Sequence, residues 1–177
     1  MNIDINKKLE ILENNKAQLL NCFESISGEK LNTQLEKDKW SPAQIIYHVV
    51  KSEQYTLISL MNSSKPETKL RKIGFKAFGK SKLLNLFLKS RLKFKAPPIV
   101  QKVPDDVNVK DILAKWDEVR NEIKNVCLKF PKENFNKGVF KHPYIGFINL
   151  EQSLNFLINH LKHHTAQIEK ISINFKQ

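Results

Sequence analysis

The chain has 177 residues, 41% of them hydrophobic, with five glycines, seven prolines and a net charge of +12. That size suits one domain over residues 1–177 with a real core, and the residue mix favours helix over sheet. No apolar run approaches the ~20 residues of a membrane span, and the polar start through Asn2, Asp4, Asn6, Lys7 and Lys8 has no signal-peptide core, so a cytoplasmic protein without a transmembrane segment is expected.

A first helix is predicted over about residues 4–26, where Ile5, Leu9, Leu12, Leu19, Leu20 and Phe23 recur at helical spacing before Ser27-Gly28. Its Cys22, like Cys127 further on, is isolated in sequence with no CxxC pair, which points to buried free thiols rather than a disulfide or a nucleophile. A polar connector over 29–39 leads to Trp40-Ser41-Pro42. Ser41 fits an N-cap and Pro42 the first helical position, so a second helix should run over about 42–62. Wound at 100° per residue, it places Ile45, Val49, Thr56 and Leu60 on one stripe and His48, Ser52 and Tyr55 along its flank. His48 thus sits at a core boundary. Glu53, about 140° round from His48, reads as a structural or surface carboxylate, and Tyr55 as a packing residue on the flank that could reach His48.

The positive charge is concentrated in the next segment. Residues 69–95 hold ten basic residues (Lys69, Arg71, Lys72, Lys76, Lys80, Lys82, Lys89, Arg91, Lys93, Lys95) and no acidic one, and the rest of the chain is close to neutral. Phenylalanines and leucines interleave with these lysines, as expected of a partly helical crossover in two short pieces broken near Gly79, while Ala96-Pro97-Pro98-Ile99-Val100 must be extended. A third long helix starts from Asp105-Asp106-Val107-Asn108 and carries Ile112, Leu113, Trp116, Val119, Ile123, Val126 and Leu128 to about Phe130. A loop with Pro131, Gly138, Pro143 and Gly146 follows, and then a final helix over about 149–174. Four long helices with one long crossover make an all-α four-helix bundle the natural architecture.

The final helix carries the residues best suited to chemistry. His160 and His164 stand one turn apart and project from the same face, so together they can grip one transition-metal ion. With His160 set at 0°, the apolar stripe of Leu150, Leu154, Leu157, Leu161, Ile168 and Ile171 clusters near about +80°, His164 falls at about +40° and His163 at about −60°. His163 therefore points away, although a His160 and His163 pairing is also geometrically open. Asn149 and Gln167, both near about −20°, and Ser52 are candidate hydrogen-bond partners for the far ring nitrogens, whose proton must be fixed for the imidazoles to act as neutral ligands. A site that retains an open coordination position wants a third protein ligand, and His48 is the distant candidate. The alternative reading of the same spacing is a set of interhelical hydrogen-bonding histidines.

Trp40-Ser41-Pro42-Ala43-Gln44-Ile45-Ile46-Tyr47-His48 resembles the tryptophan-serine-to-histidine signature that opens the second helix in the DinB/YfiT-like superfamily. His142-Pro143-Tyr144-Ile145-Gly146-Phe147-Ile148-Asn149-Leu150, running into His160-x-x-x-His164-x-x-Gln167-Ile168, is similar to that superfamily's fourth-helix pattern. The resemblance implies an up-down-down-up bundle holding a divalent metal, commonly nickel or zinc, on His48, His160 and His164. It further implies a metal-dependent enzyme acting on a small molecule, either a hydrolase or a transferase that uses a low-molecular-weight thiol, and a homodimer. It supplies no role for the basic segment. A different class of function, a non-enzymatic binding protein, would use residues 69–95 to hold nucleic acid or an anionic surface, and a third would use them to steer an anionic substrate toward the metal.

Overall fold

The computed structural model describes residues 4–37, 39–74, 79 and 102–175. Among them are four long helices: α1 (Ile5–Glu24), α2 (Pro42–Ser63), α3 (Val109–Leu128) and α4 (Leu150–Phe175). The expected short helices around Gly79 and the extended stretch 96–100 fall, apart from Gly79 itself, outside the described residues.

Each helix begins where a side chain satisfies an otherwise orphaned backbone N–H. Asp4 accepts from the Lys7 amide at 2.9 Å to start α1. Ser41 and Gln44 form a reciprocal capping box at α2, with Pro42 in the first turn. Asn108 accepts from the Asp111 amide, so α3 starts a few residues later than the acidic pair Asp105-Asp106 suggests. At α4, Asn149 Oδ1 accepts from the Gln152 amide at 2.8 Å and Gln152 Oε1 accepts from the Asn149 amide at 3.0 Å.

The helices pack as a bundle in which α1 lies mainly against α4, and α2 against both α3 and α4. One core cluster gathers Leu12, Leu60, Ile123, Leu154 and Leu157, and another gathers Leu19, Ile45, Ile46, Trp116 and Leu161, all almost wholly withdrawn from water. At roughly 1.5–3 kcal/mol per large apolar side chain, this burial dominates the stabilisation. A buried ion pair crosses between α2 and α3. Arg120 donates through Nε and Nη2 to the two carboxylate oxygens of Glu53, at 2.5 and 2.8 Å, and Trp116 Nε1 donates to the same carboxylate at 2.8 Å. Glu53 is thus structural. Both thiols are free, as expected, but Cys22 is half-buried where burial was expected; burial pushes the Cys127 thiol up to about 12, which leaves it unreactive.

The connection read as a loop between α3 and α4 holds short strands. Here β1 (Arg71–Lys72) pairs antiparallel with β2 (Lys137–Gly138), and β3 (Phe140–His142) with β4 (Gly146–Ile148). Alternation explains them: Phe140 and His142 are buried while Lys141 between them is exposed. The glycines and proline that suggested a loop serve the turn and a close approach. Gly146 has φ +80°, and a Cβ on Gly138 would meet the Phe147 Cβ at 2.9 Å. Among the described residues, no helix is long and apolar enough to cross a membrane.

Candidate metal centre

His48 lies in the second turn of α2, and His160 and His164 lie on successive turns of α4. All three are buried. Their Nε2 atoms converge: His48 to His160 is 3.1 Å and His164 to His160 is 3.1 Å. The structure thus brings His48 onto a histidine pair whose nearer member lies 112 positions further along the chain. Each ring is wedged by a neighbour. The Trp40 ring lies 4.7 Å from His48, centroid to centroid, Phe156 lies 5.2 Å from His160, and His163 lies edge-on 5.2 Å from His164.

The protonation states suit metal ligation. Burial, reinforced by the neighbouring histidines, holds His160 and His164 well below the ordinary imidazole range, so both rings are neutral at neutral pH. Nδ1 of His164 lies 2.9 Å from Gln167 Oε1. A carbonyl oxygen only accepts, so the His164 hydrogen sits on Nδ1 and its Nε2 lone pair faces the cluster. At metal–nitrogen distances of about 2.0–2.1 Å, two cis ligands stand about 3.0–3.4 Å apart, the spacing seen here.

Of the candidate partners for the far nitrogens, Gln167 contacts one of the three histidines and Asn149 does not. The helical angle that put Asn149 beside His160 fails because α4 begins only at Leu150, and Asn149 Oδ1 caps it while its buried Nδ2 has no partner among the described residues. Ser52 is buried on α2, where its carbonyl accepts from Thr56 Oγ1, and Tyr55 is half-buried on the same helix. A residue not singled out as a site candidate from sequence, His142, is buried on β3 with its ring edge-on to Phe156 at 4.7 Å. Its pairing across the strands with Gly146, inside the His-Pro-Tyr-Ile-Gly motif, was the available signal. Of the ten cations over 69–95, Lys69, Arg71 and Lys72 are described and exposed, and the other seven lie outside the described residues.

Residues 11–168 match the DinB superfamily profile, which spans most of this sequence. The chain belongs to the DinB superfamily. Within reach of that family, the uncharacterized protein YuaE of Bacillus subtilis (strain 168) is 22% identical over 163 residues, covering 92% of this chain and 96% of YuaE. Among solved structures, YfiT from Bacillus subtilis superposes with a TM-score of 0.64 at 21% identity, covering 99% of this chain and 91% of YfiT. YfiT is described as a probable metal-dependent hydrolase with an unusual four-helix bundle topology. At that identity the likeness shows the fold, and the four-helix bundle of this DinB-superfamily member agrees with it.

Proposed function

We propose that this protein is a metal-dependent enzyme of hydrolase type, binding one divalent transition-metal ion through Nε2 of His48, His160 and His164 and acting on a small-molecule substrate. The observation that carries the reading is the convergence of three buried imidazole nitrogens, two of the spacings being 3.1 Å, with one tautomer set by Gln167. Hydrogen bonding within the triad is a poorer account. A single hydrogen on His160 Nε2 points along one of its two contacts, whereas a cation at the common point satisfies all three lone pairs.

Three imidazoles suit nickel or zinc, and the ion would supply Lewis acidity to a substrate group at its remaining positions. The chain's own contribution is positional. Gln167 orients His164, Trp40 and Phe156 fix the rings of His48 and His160, and burial keeps His160 and His164 neutral so that no proton competes at them at physiological pH. The description of YfiT favours hydrolysis. Thiol transfer is the second form of the same reading, since nickel and zinc also accept sulfur ligands, and a requirement for added low-molecular-weight thiol would separate the two. A homodimer belongs to this proposal as well.

Metal analysis of the purified protein should give about one divalent ion per chain, and replacing His160 and His164 by alanine together should remove it. Full stoichiometry in the double variant would sink the assignment.

A further inference from the structure

Beside the three-histidine cluster lies a fourth buried histidine that the proposed ligand set does not use. His142 is 5% exposed and closes its own turn, its Nδ1 accepting from the Tyr144 backbone N–H at 3.3 Å. In a neutral ring that acceptor role leaves the hydrogen on Nε2, the opposite edge. Burial keeps the ring neutral by holding its pKa down at about 4. The Nε2–H is thus the ring's one donor.

Its position is set by α4. His142 packs on Phe156 at 4.7 Å and Phe156 on His160 at 5.2 Å, so the imidazole centroids of His142 and His160 are at most about 10 Å apart. Phe156 precedes His160 by one helical turn, which places His142 one turn along from the cluster, toward the start of α4. An unspent donor lies on the same flank. Gln152, 6% exposed and one turn before Phe156, uses its Oε1 on the Asn149 amide, and its buried Nε2 has no partner. Buried donors without acceptors are costly, and two at the start of α4, Gln152 Nε2 and Asn149 Nδ2, on the side of the histidine cluster where His142 packs, mark a place where an acceptor is expected from outside the chain.

We infer that His142 is a substrate-recognising residue, its Nε2–H donating to a carboxylate or carbonyl oxygen of a small molecule whose other end sits at the metal on His48, His160 and His164. The inference rests on the metal-binding reading above. It adds the substrate class: a short, oxygen-bearing organic molecule, held at one end by the ion and at the other by a fixed neutral donor.

Cobalt(II)-loaded protein provides the test, because a thiolate bound to cobalt gives a near-ultraviolet charge-transfer band. Titration with ethanethiol, mercaptoacetate and 3-mercaptopropionate compares one anchor with and without a carboxylate. In the wild type at least one mercaptocarboxylate should bind about tenfold more tightly than ethanethiol, as expected of one hydrogen bond to a charged group. His142→Phe should lose that advantage with cobalt stoichiometry unchanged, and His142→Gln, which keeps a donor, should retain much of it. No advantage in the wild type, or one that survives in His142→Phe, overturns the inference. Long-range proton–nitrogen spectra of the wild type give an independent measurement that needs no variant: His142 should carry its hydrogen on Nε2, and a ring protonated on Nδ1 overturns the proposal. Failure of the wild type to bind cobalt removes the metal reading, and this inference falls with it. Cobalt binding without a carboxylate advantage removes this inference alone.

Discussion

Nδ1 of His164 and Oε1 of Gln167, one helical turn apart on α4, lie 2.9 Å from each other. The contact makes Gln167 the orienting partner of a proposed ligand. Gln167→Leu removes the acceptor and frees the ring to rotate or change tautomer. Metal affinity should fall by roughly 10- to 100-fold, read by competition with a chromophoric chelator, while the helical circular-dichroism spectrum stays the same.

Acidification should destabilise the metal-free protein. The His142 pKa is about 4 when folded against an ordinary 6.5. Between those values the unfolded chain binds a proton that the folded protein does not, so stability is greatest above the unfolded value and falls as pH drops through the window. His142 alone should cost about 2 kcal/mol at pH 5, and the lowered values of His160 and His164 act in the same direction. Urea unfolding with chelator present, at pH 7.5 and pH 5, measures the loss. His142→Phe should make it smaller.

The Glu53 and Arg120 pair should behave as a buried unit. Glu53→Gln leaves a guanidinium in the core whose one remaining carboxylate among the described residues is the exposed Glu13 at 3.2 Å, and a loss of about 3–5 kcal/mol in unfolding free energy is expected. Replacing both residues by methionine should cost much less than the single change. Equal losses for the single and double replacements would contradict the unit.

Trp40 offers a reporter. Its ring lies 4.7 Å from His48, whereas Trp116, the other tryptophan, is fully buried against Glu53. Copper(II) or nickel(II) should quench part of the tryptophan fluorescence with a one-to-one end point, and Trp40→Phe should abolish most of that quenching while leaving metal stoichiometry intact.

Gly138→Ala tests the packing of the strands. A Cβ there would lie 2.9 Å from the Phe147 Cβ, which is fixed to the backbone, and 3.3 Å from the Ile73 Cγ2, so a loss of about 1–3 kcal/mol is expected in urea unfolding.

The helices were legible because their signals are local. Ser41 followed by Pro42 specifies the start of α2 through one hydroxyl and one fixed φ, and the apolar spacing of α1, α3 and α4 survives in the buried set. The angle of Glu53 showed that it turns from His48 but left a structural and a surface role both open; its burial is decided by Trp116 and Arg120, four residues apart on α3, which receive it. The strands between α3 and α4 were not legible. They are two or three residues long, too short for alternation to stand out against Gly138, Pro143 and Gly146. Asn149 failed for a different reason: an angular argument holds only inside a helix, and a capping residue lies just outside it. His142 was legible only as part of a motif, because a lone histidine off any periodic face shows nothing of its burial until the hairpin folds it onto Phe156.

The 112-residue separation between His48 and His160 also bears on folding. An ion shared by α2 and α4 would act as a removable staple closing that long stretch, much as a cross-link does, and loops of about 100 residues confer on the order of 4–5 kcal/mol in the chain-entropy account. Chelation would then lower the melting temperature, and the whole crossover between α2 and α3 would lie inside the stapled loop.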